Sequence, residues 1–119
     1  MITRLVLLAI GFTALPGVPN PVHNELLKSA PAADDSLARS PTEVRLWFAE
    51  AVFPEVSTIG VTRTDDTPVR TAKIRAGENS RSIVAALTDS LGSGTYKVAW
   101  RTAGDDPHPV KGTFKFTIR

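Results

Sequence analysis

The feature that most constrains the fold is a period-two alternation of apolar and polar side chains in three segments. In the first, Val44, Leu46 and Phe48 share one face of the chain, and residues 96–101 and 114–118 repeat the pattern. Such alternation is typical of β-strands with one buried face. No segment has a sustained 3.6-residue pattern, and no repeat of 20 to 50 residues is evident. The sequence therefore predicts strands, not a helical bundle or a repeat array.

Four shorter strands are expected besides these, one over 24–29 and three β-branched runs at 57–62, 72–76 and 81–87. Turn signals rich in Gly, Pro and Asp separate the runs at intervals of roughly 8 to 15 residues, the spacing of an all-β sandwich or barrel. A domain of about 97 residues can bury a core without disulfides or a structural metal. We therefore predict a β-sandwich of seven strands, with Trp47 and Trp100 as aromatic residues of the core.

The composition excludes several classes of function. The chain has no cysteine, which removes disulfides, thiolate nucleophiles, zinc fingers and iron–sulfur clusters. The 14 Lys and Arg nearly balance the 12 Asp and Glu, and a net charge of +2 is too small to predict a nucleic-acid partner. No Ser-His-Asp signature, Gly-rich phosphate loop or HExxH helix is present, so hydrolase and nucleotide-binding functions lack support.

The first 22 residues have the layout of a signal peptide. Arg4 precedes the uncharged apolar run Leu5 to Leu15, and Pro16 and Gly17 end that run. The run has about half of the ~20 apolar residues that a helix needs to span a bilayer. We therefore predict a signal peptide over 1–22, and an exported protein that is periplasmic or otherwise extracytoplasmic.

The cleavage site stays open, because no small-x-small pattern follows the apolar run. A cut before Val18 and a cut before His23 are the two alternatives. The second would make residues 23–119 the mature domain and His23 its first residue.

The chain contains two histidines, His23 and His108. Asp106 stands two residues before His108, and in an extended stretch such residues face the same side. Pro107 favours this geometry because it disfavours the helical conformation for Asp106. On its own, however, the Asp-x-His pattern is more typical of a solvated turn with a surface histidine.

Three longer segments resemble the CopC (PcoC) family of periplasmic copper-resistance proteins. They are Ser-Ala-Pro-Ala at 29–32, Tyr96-x-Val98-x-Trp100-Arg101, and the run from Asp106 to Phe116 (DPHPVKGTFKF). The resemblance extends from His23 to the C-terminus. It implies an immunoglobulin-like, seven-stranded Greek-key sandwich.

The resemblance also implies a copper(II) site at one end of the sandwich and a role in copper resistance or homeostasis without catalysis. In the family the mature chain begins with a histidine, whose position His23 takes here. Asp106 and His108 take the positions of the other ligands. Copper(II) favours tetragonal nitrogen and oxygen ligands, and a terminal histidine supplies an amine and an imidazole in one chelate. Because the amine must lose a proton, copper affinity is expected to fall with acid.

The chain departs from the family at several positions. No methionine follows Met1, so the methionine-rich copper(I) site of some members is not expected. Pro107 replaces the usual glycine, which either presets or displaces the ligands. Glu50 is an additional oxygen ligand or, as most glutamates are, a solvated carboxylate. A cut before Val18 would leave His23 inside the chain and reduce the site to two imidazoles and one carboxylate.

Two other functions stay open beside the copper carrier. One is a metal-free, immunoglobulin-like interaction module, and the other is a copper-brace monooxygenase built on the same ligands. For the copper carrier, the resemblance implies copper itself as a partner and an inner-membrane copper transporter of the CopD type as a second one. The protein is expected to be a monomer.

Overall fold

The computed structural model of the chain describes residues 24–119, which form a sandwich of two β-sheets. A single turn of 3₁₀ helix, Pro54–Val56, interrupts the strands. The nine strands are β1 (Leu26–Ala30), β2 (Ser36–Leu37), β3 (Glu43–Phe48), β4 (Thr58–Arg63), β5 (Pro68–Val69), β6 (Arg75–Ala76), β7 (Ser82–Ala86), β8 (Gly94–Thr102) and β9 (Val110–Ile118).

One sheet has four strands in the order β1-β3-β7-β6, and the other has five in the order β2-β9-β8-β4-β5. Neighbouring strands are antiparallel except for the short parallel pair of β2 and β9. Consecutive strands in the chain often lie in different sheets, so the connections cross between the two layers. The predicted β-sandwich class is therefore confirmed.

The alternating residues fill the space between the sheets. The four-stranded sheet contributes Val44, Leu46 and Phe48, all buried. The five-stranded sheet contributes the buried residues Tyr96, Val98, Trp100, Phe116 and Ile118. Across the layers, the rings of Phe48 and Trp100 meet edge to face, with centroids 5.2 Å apart. Because β3 and β8 bury every second side chain, the alternation in the sequence becomes one shared core, to which β7 adds the four consecutive buried residues 82–85.

The longest pairing positions the loop that carries Asp106 and His108. Strands β8 and β9 pair in an unbroken register from Gly94 opposite Ile118 to Thr102 opposite Val110. Residues 103–109 close this hairpin at one end of the sandwich. The backbone N–H of Phe53 donates to the carbonyl of Ala103 at 3.0 Å, which ties the loop to the segment after β3.

Two sequence-based expectations differ from the structure. All seven predicted segments overlap strands, but the described residues contain two further strands, β2 and β5, of two residues each, which are too short to show a period. Trp47 was expected in the core, and this prediction is wrong. Its neighbours Leu46 and Phe48 point inward, so Trp47 faces outward, half-buried, with the Lys28 ammonium 4.4 Å from its ring centroid.

The predicted signal peptide, residues 1–22, and the predicted ligand His23 lie outside the described residues. Within 24–119 the structure has no helix with the length and apolar character needed to cross a membrane.

Candidate metal centre

Asp106 and His108 contact each other in the loop between β8 and β9. The Asp106 Oδ1 atom accepts a hydrogen bond from the backbone N–H of His108 at 2.9 Å and lies 2.7 Å from His108 Nδ1. Residues 105–108 form a bend, so the two side chains meet through this side-chain-to-backbone turn. The predicted proximity is present, but the extended backbone that was expected to produce it is not.

Asp106 and His108 line a cleft of about 260 Å³ at the end of the sandwich. Both side chains are accessible, with 50% of Asp106 and 72% of His108 exposed. The described residues that line the cleft are Asn24, Glu50, Ala51, Ala103, Gly104, Asp105, Asp106, His108 and Val110. These include three carboxylates and one imidazole but no Lys or Arg, so the cleft favours a cation over an anion.

Asn24 holds the start of the described chain against the opposite wall of this cleft. Its Oδ1 atom accepts a hydrogen bond from the backbone N–H of Glu50 at 2.7 Å, and its Nδ2 donates to the carbonyl of Glu50 at 3.0 Å. One residue later, the carbonyl of Glu25 accepts from the N–H of Ala49 at 2.9 Å. The side chain of Asn24 thus extends the pairing of β1 with β3 up to the cleft. Sequence reasoning missed this residue, and its position directly after His23 was the only indication.

Gly104 allows the loop between β8 and β9 to approach the backbone of Ala51, in the segment after β3, closely. A Cβ atom at this position would overlap the carbonyl oxygen of Ala51 and lie 3.3 Å from its carbonyl carbon. Both partners are backbone atoms, which cannot turn aside as a flexible side chain can. The distance between the two walls therefore depends on the absence of a side chain at residue 104.

The structure brings together two of the three predicted ligands. Asp106 and His108 share the cleft, Glu50 lines it as well, and His23 lies outside the described residues. Within residues 24–119 no group of three His, Asp, Glu or Cys side chains is arranged to hold a metal ion. Asn24, the first described residue, lines the same cleft.

The chain is similar to known proteins over the whole described domain. Residues 26–119 match the model of the CopC domain family. Copper resistance protein C of Escherichia coli is 30% identical over an alignment that covers 100% of this chain and 94% of that protein.

Two solved structures have the same fold. PcoC, a methionine-rich copper resistance protein from Escherichia coli, superposes with a TM-score of 0.73 at 31% identity, covering 82% of this chain and 100% of that one. CopC from Methylosinus trichosporium OB3b gives a TM-score of 0.73 at 28% identity, covering 81% and 93%. From the match of the family model and the identity to its members, this chain belongs to the CopC family.

Proposed function

We propose that the protein is an exported copper carrier that binds one copper(II) ion for copper resistance or homeostasis and performs no catalysis. One observation carries the proposal: Asp106, His108 and Asn24, the residue directly after His23, line a single acidic cleft. The names of the relatives, which are copper resistance proteins, support the choice of metal.

The proposed ligands are the amine and imidazole of His23, the carboxylate of Asp106 and the imidazole of His108. In the structure the Asp106 carboxylate faces Nδ1 of His108, and Nε2 on the opposite side of the ring is the nitrogen proposed to bind copper. A carboxylate held on Nδ1 cannot reach an ion bound at Nε2, so copper binding is proposed to move the Asp106 carboxylate from this contact to the metal. Glu50 stands at the same cleft as an additional carboxylate.

The available side chains favour copper(II) over copper(I). Copper(I) prefers soft thiolate and thioether ligands, whereas copper(II) prefers nitrogen and oxygen in a tetragonal arrangement. The chain has no cysteine and no methionine after Met1, in contrast to PcoC, which is described as methionine-rich. Among the described residues, those that line the cleft supply carboxylate and amide oxygen and one imidazole, and none supplies sulfur.

The proposal includes a destination for the copper. Both proposed ligand side chains in the loop are half or more exposed, so the ion can be reached from solvent and passed to another protein. An inner-membrane copper transporter of the CopD type is the proposed recipient. Export from the cytoplasm, with residues 1–22 removed as a signal peptide and His23 as the first residue of the mature chain, is part of the same proposal.

The test is a titration of copper(II) into the protein that begins at His23, with matched variants. The unaltered protein is expected to bind one ion per chain, and His108→Ala to weaken binding by at least about tenfold. Asp106→Asn should also weaken binding, whereas Asp89→Asn, which removes an exposed carboxylate outside the cleft, should not. Unchanged affinity in the His108→Ala variant would reject the ligand set. No binding by the unaltered protein would favour a metal-free interaction module.

A further inference from the structure

The outer face of the five-stranded sheet carries four cations and no acid on its three central strands. Lys97 and Arg101 project outward from β8, and Lys111 and Lys115 project outward from β9. The other outward positions of β4, β8 and β9 hold Thr, Ala and Gly. The net charge of the chain is small, but these cations are concentrated on one face of the sandwich, which is called the basic face below.

The cations of this face stand in two like-charge pairs. Lys97 lies directly opposite Lys115, and Arg101 lies directly opposite Lys111. Like charges at directly opposed positions of a sheet are destabilising. All four side chains are exposed, and none has an ion pair with a residue of the described chain. Asp66 borders the depression beside Lys97 and Lys115, but neither it nor another acidic residue of the described chain forms an ion pair with these cations.

On the four-stranded sheet, in contrast, the outward cations are paired with acidic or aromatic side chains. On its outer face Arg45 forms ion pairs with Glu43 at 3.0 Å and with Glu78 at 3.3 Å, and Arg75 pairs with Glu43 at 3.2 Å. Lys28 lies over the ring of Trp47. Cations without ion pairs are therefore a feature of the outer face of the five-stranded sheet and not of the whole molecule.

The shape of the basic face suits an extended chain. Lys97 and Lys115 flank a shallow depression of about 310 Å³, and Arg101 and Lys111 flank a second one of about 430 Å³. The small residues Ala99 and Thr113 lie between the two pairs. Four residues along a strand separate the pairs by about 13 Å, the same distance that separates side chains i and i+4 of any extended segment.

We propose that this basic face docks an extended acidic segment of a partner protein, with its carboxylates between the two cation pairs. Charge complementarity favours carboxylates, and the small residues of the floor leave room for a backbone. A membrane surface fits less well, because no large apolar side chain projects from the outward positions of β4, β8 and β9 to enter the lipid. The inference is independent of the proposed copper site.

The test uses a fluorescent ten-residue peptide of alternating Glu and Thr, whose binding is followed by fluorescence anisotropy at low salt. The double variant Lys97→Gln/Lys115→Gln is expected to raise the Kd at least about fivefold. The control Arg70→Gln/Lys73→Gln removes the same charge from exposed positions outside the face, and should change the Kd less than about twofold. Because it relieves a like-charge pair, the first variant should also unfold at a higher temperature, which shows that it is folded.

Equal losses in the two variants would reduce the effect to net charge and overturn the proposal. Binding of the peptide in which Gln replaces Glu would overturn it as well. Vesicles with anionic phospholipid provide the remaining comparison. If they bind the protein through the same four residues and the acidic peptide does not bind, the face contacts a membrane and not a protein segment.

Discussion

The substitution Gly104→Ala tests whether the close approach of the two cleft walls holds the proposed copper ligands in place. The added Cβ atom would overlap the carbonyl oxygen of Ala51 and lie 3.8 Å from the Cα of Val52. Because the contact is with backbone, the loop of residues 103–109 must move away from the segment after β3. Forced insertion of one methyl group into a packed site costs about 1–3 kcal/mol.

The displacement should reach the proposed ligands, since Asp106 and His108 lie in the same short loop. Loss of the groups that orient metal ligands typically weakens metal affinity by about 10 to 100-fold. We therefore expect Gly104→Ala to lower the free energy of unfolding by about 1–3 kcal/mol and to weaken copper(II) binding by at least about tenfold. Urea denaturation measures the first quantity, and competition with a copper chelator measures the second.

Gly92→Ala is the matched control. A Cβ atom at residue 92 would have no heavy atom within 4 Å, and the residue lies away from the cleft. This variant should keep its copper affinity and be as stable as the parent or more stable by about 0.4–1 kcal/mol, because alanine restricts the unfolded chain. If Gly104→Ala behaves like Gly92→Ala in both assays, the argument from wall spacing is wrong.

Three further predictions concern single contacts and pH. Asn24→Ala removes both hydrogen bonds to the backbone of Glu50, and should weaken copper(II) binding by about tenfold in the chelator competition. An unchanged affinity would show that Asn24 does not position a copper ligand. Tyr96→Phe removes the 2.8 Å hydrogen bond from the buried phenol to the carbonyl of Gly92, and urea denaturation should show a loss of about 0.5–1.5 kcal/mol. A fully stable variant would show that water replaces this bond. Copper affinity should fall as the pH is lowered, since protons compete with the metal for amine and imidazole nitrogen; an affinity that is the same at acidic and neutral pH would contradict nitrogen ligation.

The strand pattern was predictable where it was long enough to show a period. The alternation around Leu46 and Val98 identified the buried faces of β3 and β8 because the sheet buries every second residue. The same alternation places Trp47 on the outer face of β3. It was expected in the core because tryptophans are usually buried, and this general tendency was given more weight than its position in the strand. The two-residue strands β2 and β5 exist through pairing with residues far away in the chain, which a local pattern does not contain.

The site was predictable only in part. The motif predicted that Asp106 and His108 lie close together, which they do, but the turn that joins them is set by a side-chain hydrogen bond and not by strand geometry. Asn24 and Gly104 act through the backbone of Glu50 and Ala51, more than 20 residues away in each case, so neither contact has a local sequence signature. The basic face was missed for a different reason: a net charge averages over the surface, and only the register of β8 against β9 shows which charges are neighbours.

The most direct test of the proposed copper site is electron paramagnetic resonance of the one-to-one copper(II) complex of the protein that begins at His23. We expect a tetragonal signal with coupling to amine and imidazole nitrogens, and a changed nitrogen coupling pattern when the amino terminus is acetylated or His108 is replaced by Ala. An identical spectrum for the acetylated and unaltered proteins would contradict ligation by the terminal amine. An identical spectrum for His108→Ala would contradict the proposed centre between the first residue and the loop of β8 and β9.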